Sequence, residues 1–169
     1  MEPTTLRDKV VNITIKSMDE PPNHWKTFND NINTTVVSRL NNDKKPNNDE
    51  CPILECKLDD NYLLITTDKI VSKFGGQSYG LKLKEVTGLS NRFNERNYSK
   101  VGGKPQKTII QEVLGENGQN LIFEIDSHHP AYFATLIILN LSTFLRNERW
   151  YLNPDKDFKQ SLKRWKSEL

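Results

Sequence analysis

The amino-acid sequence predicts an α+β fold in which short antiparallel strands form a twisted sheet or barrel closed by one apolar helix. Three observations lead there. Between Ile53 and Ile125, β-branched and aromatic runs are separated by Asp, Asn and Gly at hairpin spacing. Asn117-Gly118 is the strongest short-range hairpin signal in the chain. Ala131 to Arg146 then follows as a single apolar helical stretch. With 169 residues the chain is long enough for one domain with a full core and short for two. The expected organisation is an N-terminal helical segment and linker over residues 1–50, a strand-rich domain over 51–146 and a basic amphipathic tail over 147–169.

Near the N-terminus, Leu6, Val10, Val11, Ile13 and Ile15 fit a helix at the start of their segment and a strand at its end, so periodicity leaves the choice open. After Pro21-Pro22, the apolar positions Trp25, Phe28, Ile32, Val36 and Leu40 recur every three or four residues and predict a helix from about His24 to Leu40. If that helix completes the domain, Trp25 and Phe28 are buried against the sheet; if it is a binding element, they form an exposed patch. Asn41 to Glu50 holds almost no apolar residue and reads as an exposed linker.

The strands come next. Ile53 to Leu58 partly alternates, Asp59-Asp60-Asn61 supplies a turn, and Tyr62 to Thr67 is a second strand. Asp68-Lys69 turns the chain into Ile70 to Phe74, and Gly75-Gly76 provides the backbone freedom for the next reversal. Leu81, Leu83 and Val86 are expected to continue the sheet. Thr108 to Leu114 and Asn120 to Ile125 flank the Asn-Gly turn, with Leu121, Phe123 and Ile125 facing the core. Pro130 sits where the first turn of a helix tolerates a missing N–H, and Phe133, Leu136, Ile137, Leu139, Leu141, Phe144 and Leu145 cover too much of the following helix for it to be exposed.

Composition narrows the function classes. Hydrophobic residues make up 35% and charged residues 27% of the chain, and the formal net charge is +2, which suits a solvated globular surface and gives no reason to expect nucleic acid. Met1 to Thr5 lacks the features of a secretory signal, and Ala131 to Leu145, interrupted by Asn140, is shorter than the ~20 residues of a membrane span. A cytoplasmic location is the expectation. Cys51 and Cys56, spaced C-x4-C, match no zinc or redox pattern and read as free thiols.

Catalytic chemistry has little support. Adjacent His128 and His129 point to opposite sides of an extended segment, so they suit the start of a helix better than a bidentate metal site. Cys56 with His129 has no spacing that favours a nucleophile and its base. Gly75-Gly76 and Gly102-Gly103 lack the lysine and threonine of a phosphate-binding loop, and Asp59-Asp60 is ordinary turn chemistry. No cofactor or metal is expected.

The stretch Leu63-Leu64-Ile65-Thr66-Thr67-Asp68-Lys69-Ile70, followed by Leu81-Lys82-Leu83-Lys84-Glu85-Val86-Thr87-Gly88-Leu89, resembles the strand rhythm of pleckstrin-homology-like (PH-like) domains, in particular the bacterial PH and GRAM-type groups. The closing hairpin and C-terminal helix are similar too, and the resemblance spans about residues 53 to 146. It implies a bent seven-stranded barrel capped by one helix; the extra N-terminal helix and the amphipathic tail helix lie outside it and rest on apolar spacing alone. It also implies a module that binds lipid, peptide or protein without catalysis. Lipid-binding members carry basic residues in the loop joining their first two strands; the matching turn here, Asp59-Asp60-Asn61, is acidic and departs from that pattern.

Two basic segments are candidate binding sites. Arg92, Arg96, Lys100, Lys104 and Lys107 surround Gly102-Gly103 with Glu95 as the one acidic residue among them, which suits an anion or an acidic protein surface; a solvated loop is the alternative. In the tail, Phe158, Leu162, Trp165 and Leu169 fall at helical intervals among Lys156, Lys159, Lys163, Arg164 and Lys166. Of these, Lys163, Arg164, Trp165 and Lys166 form the candidate contact for an anionic membrane or a partner; the alternative is packing against the parent domain. The favoured function is a non-catalytic protein-binding module, an adaptor or cytoplasmic inhibitor such as a toxin-neutralising immunity protein. A peripheral membrane binder and a small enzyme with an unrecognised site are the other readings.

Overall fold

A computed structural model describes residues 1–18, 38–40, 50–90 and 108–152. Helix α1 spans Pro3–Met18. Strands follow at β1 (Ser38–Leu40), β2 (Pro52–Leu58), β3 (Asn61–Thr66), β4 (Lys69–Phe74), β5 (Gln77–Lys82), β6 (Val86–Leu89), β7 (Thr108–Gly115) and β8 (Leu121–Asp126). Helix α2, His129–Asn147, is the last described element. The class is α+β, as expected, with two antiparallel sheets in place of a closed barrel. One sheet runs β1-β2-β3-β4-β5 and the other β6-β7-β8.

Turn chemistry sets the first meander. β2 and β3 pair Leu58 with Asn61, leaving Asp59-Asp60 as a two-residue turn in which Asp59 takes φ 43°. Between β3 and β4 the turn falls on Thr67-Asp68, one residue earlier than expected. There Thr66 Oγ1 accepts the N–H groups of Asp68 and Lys69 at 3.2 and 3.0 Å, the local side-chain bond that hydroxyl residues offer a reversing backbone. β4 and β5 pair Phe74 with Gln77, and Gly75 and Gly76 take φ 58° and 80°, as a primed two-residue hairpin requires.

The chain does not extend this sheet through Leu83 and Val86. A 3-10 turn at Leu83–Glu85 breaks the strand, and Val86 opens the second sheet opposite Gly115. An apolar residue at every second or third position fits a continuing strand and a corner equally well; Leu83, wholly buried, serves the corner. β7 and β8 pair from Thr108↔Asp126 to Val113↔Leu121. At their tip the Gln119 N–H donates to the Glu116 carbonyl at 3.2 Å, with Asn117 at φ 57° and Gly118 at φ 74°. The Asn-Gly step thus forms its type I′ turn inside a wider loop.

The expected helix over His24 to Leu40 is corrected at its C-terminal end. Ser38–Leu40 is strand β1, pairing antiparallel with Leu54–Cys56, because the free edge of β2 supplies backbone partners that helical periodicity cannot register. The remainder of that expectation, with Trp25 and Phe28, lies outside the described residues, as does nearly all of the expected linker. Glu50 at the linker's end is described: its carboxylate accepts the Thr66 hydroxyl at 3.0 Å and pairs with Lys69 at 3.2 Å.

The open choice at Leu6 to Ile15 falls to helix. α1 buries Leu6, Val10, Val11 and Met18 in the same hydrophobic core as the strands and α2, with the polar Thr14 buried beside them. A bulge in β2 helps it dock. Pro52 pairs with Thr66 and Leu54 with Ile65, so Ile53 is an extra residue, and Ile53 and Leu54 are both fully buried where strict alternation would expose one. The Arg7 guanidinium donates from Nε to the Pro52 carbonyl at 3.0 Å, tying α1 to this point.

The sheets are cross-linked through Ser72, 1% exposed, whose hydroxyl donates to the Ile122 carbonyl at 2.7 Å. α2 starts after His128, held at φ 66°, and carries Pro130 in its first turn. Its apolar face, with Phe133, Ala134, Leu136, Ile137, Ile138 and Leu141, lies in the core. Glu148 ends it in the left-handed region, donating its N–H to Phe144, and Trp150 stacks on Phe144 at 4.3 Å and 15°. Trp150 therefore secures the chain after the helix, while the neighbouring Tyr151 is exposed. No described helix is long and apolar enough to cross a membrane.

Candidate functional site

One end of the molecule holds a cleft of about 520 Å³ between the Asp59-Asp60 turn, the Gly75-Gly76 turn, Thr108 and Glu124. Asn61 organises it. Its Nδ2 donates to Glu124 Oε2 at 2.6 Å, and its Oδ1 accepts the Gly75 N–H at 3.2 Å, so a single amide joins β3, β8 and the glycine turn. Thr108 Oγ1 donates to Glu124 Oε1. Both oxygens of Glu124 are engaged, while Asp59 and Asp60 stand exposed at the lip. Three carboxylates at one cleft repel phosphate and favour cationic or neutral polar groups.

Sequence reading found the acidic turn and missed its partners. Glu124 is visible only as the residue between Phe123 and Ile125, and nothing local says that it meets a turn 63 positions away. Among the described residues no group of three His, Cys, Asp or Glu is placed to hold a metal ion. His128 and His129 lie at the start of α2. Cys51 and Cys56 are both buried free thiols, and burial pushes the Cys51 thiol up from its ordinary value, away from the thiolate that nucleophilic chemistry needs. The basic candidates Arg92, Arg96, Lys100, Lys104 and Lys107, and the tail candidates Lys163, Arg164, Trp165 and Lys166, lie outside the described residues.

A second polar cluster sits on the first sheet, on the face turned away from the core. Glu55 is 2% exposed; it accepts the Tyr62 hydroxyl at 3.2 Å and lies 3.5 Å from Lys57 Nζ. Burial, and then the charge and hydrogen bond of Glu55, push the Tyr62 phenol up to about 12. In the unfolded chain the phenol loses its proton near pH ~10. Between that pH and about 12 the folded state keeps a proton the unfolded state has released, so rising pH favours unfolding in this window. Denaturant titrations at about pH 9 and about pH 11 are expected to show a larger stability loss in the wild type than in Tyr62→Phe; equal losses would contradict the pairing.

A further depression, about 530 Å³, lies at the end of α2 between Thr143, Asn147, Arg149, Trp150 and Tyr151. Among its described lining residues no hydrogen-bonded constellation like the Glu124 cluster is formed. Comparison of the chain with protein-family models, with curated proteins and with solved structures gives no match.

Proposed function

We propose that the protein is a non-catalytic binding module of PH-like fold that acts on a protein partner, as an adaptor or as an inhibitor. Toxin neutralisation is one form that inhibition would take. The fold reading draws support from the order of elements: a four-strand meander β2 to β5, a corner, a three-strand meander β6 to β8, then the helix α2 against the core. The observation that carries the choice of partner is the acidic cleft. Asp59, Asp60 and Glu124 line the end where the resemblance would put phosphate-binding cations, and a surface of that sign disfavours phosphoinositides and suits a polypeptide.

The test uses the tagged full-length protein in two arms: capture from a lysate with mass-spectrometric identification, followed by titration of the purified candidate, and flotation with phosphatidylserine vesicles at low salt. A purified protein that binds at one-to-one stoichiometry supports the proposal. Vesicle binding without any such partner overturns it in favour of the membrane. A partner that is toxic when expressed alone and harmless when co-expressed identifies the inhibitor form.

A further inference from the structure

The core-averted face of β3, β4 and β5 forms a grid. Cross-strand pairing places Tyr62, Lys73 and Ser78 in one row and Leu64, Val71 and Gly80 in the next, and Lys69 opposite Lys82 beyond them. The alternate residues Leu63, Ile65, Ile70, Ser72 and Leu81 are buried, so these rows share the opposite face. Across β3 to β5 the middle row is an apolar trough, ended on the β2 side by the buried Glu55 opposite Leu64: Leu64 and Val71 are half-buried, and at Gly80 a Cβ would meet nothing within 4 Å. Its two banks are cationic. Lys69 is held by Glu50 at 3.2 Å, whereas Lys73 and Lys82 are exposed and make no ion pair among the described residues. Lys69 directly opposite Lys82 is itself an unfavourable like-charge pair, a local cost that the fold does not require.

Dimensions select the occupant. Lys69 and Lys73 are four residues apart on β4, which is about 13 Å along an extended strand. An α-helix with its side chains is ~10–12 Å across, so it fits between the banks when laid across the strands. An extended strand would leave one bank untouched. From this geometry we infer that the trough is the docking site for an amphipathic helix of the protein partner, its apolar stripe on Leu64 and Val71 and its acidic flanks against Lys73 and Lys82. The inference rests on the protein-binding reading and assigns the surface and the partner's chemistry within it. The acidic cleft lies at the turn end of the strands, so a partner with separated acidic and basic surfaces is able to use both.

The experiment takes the full-length protein, isotope-labelled for amide NMR, and titrates it with a synthetic helical peptide carrying a leucine stripe flanked by glutamates. The controls are the same peptide with lysines for the glutamates, and phosphatidylserine vesicles. The acidic peptide is expected to move the amides of Leu64, Val71, Lys73, Gly80 and Lys82, and the lysine peptide to leave them in place. Lys73→Glu with Lys82→Glu, both exposed and safe for folding, is expected to weaken binding by about tenfold or more, and Gly80→Tyr to block the trough by filling it. Absence of shifts with the acidic peptide, shifts confined to other surfaces, or movement of these amides by vesicles alone would each overturn the inference. The two readings separate cleanly. A captured partner that binds the double lysine variant as well as the wild type removes this surface and leaves the protein-binding reading standing. Failure to find any partner removes that reading, while the peptide map still decides whether the trough binds an acidic helix.

Discussion

Asn140→Ala is expected to destabilise the protein by about 2–4 kcal/mol, read as a drop in the denaturation midpoint at unchanged slope. Asn140 is wholly buried in α2. Its Nδ2 donates to Thr14 Oγ1 on α1 at 3.3 Å, and its Oδ1 accepts the Leu152 N–H beyond the helix at 3.0 Å. One side chain therefore ties three parts of the chain together. Alanine leaves the Leu152 N–H and the Thr14 hydroxyl without this partner and opens a void beside them, and an unmet buried donor costs more than a made hydrogen bond contributes. Asn140→Leu keeps the volume and removes only the polar link, so its smaller loss separates cavity from hydrogen bond. Combining it with Thr14→Val is expected to recover part of that loss, since both ends of one bond then become apolar. A loss below about 1 kcal/mol for the alanine variant would show that Asn140 is not a clamp.

Gly115→Ala is the second large effect, expected at about 1–3 kcal/mol or more. A Cβ there would overlap the Gln119 carbonyl oxygen and lie 2.7 Å from Leu81 Cδ1. The first contact is backbone, fixed by the Glu116–Gln119 turn, and the second is a core side chain, 3% exposed; neither yields without moving the junction of β6, β7 and the Asn-Gly loop. The cause is packing and not backbone strain, because Gly115 has φ −107°. Two other glycines provide the contrast. Gly118→Ala meets open space but must hold φ +74°, a cost of about 1 kcal/mol. Gly80→Ala meets neither obstacle and is expected within about 0.5 kcal/mol of the wild type. If the three losses came out equal, glycine content in general would be responsible, and not the contact at Gly115.

Much of the local structure was legible because short-range chemistry dictates it. Gly75-Gly76, Asn117-Gly118 and Asp59-Asp60 turn the chain where their preferences say they should, since positive φ costs glycine, asparagine and aspartate little. Pro130 begins α2 for a reason equally local. The failures share a different cause. Ser38–Leu40 carries the last apolar residue of a helical pattern yet pairs with β2, and Leu83 lies in an alternating pattern yet turns a corner. In both places the competing conformations are close in local energy, and a distant strand decides between them.

The candidate sites divide along the same line. By itself the sequence determined the class, the turns at Asp59-Asp60, Gly75-Gly76 and Asn117-Gly118, the buried apolar helix and the acid of the first of those turns, because each depends on residues within a few positions of one another. Only the tertiary structure brought Glu124 and Thr108 to that turn through Asn61, set α1 into the core by way of Thr14 and Asn140, and aligned Lys73, Val71 and Leu64 beside Gly80 and Lys82 as a banked trough. Those arrangements depend on strand register and on contacts across 63 and 126 positions. A side chain's own neighbours in the chain carry no record of partners so far away.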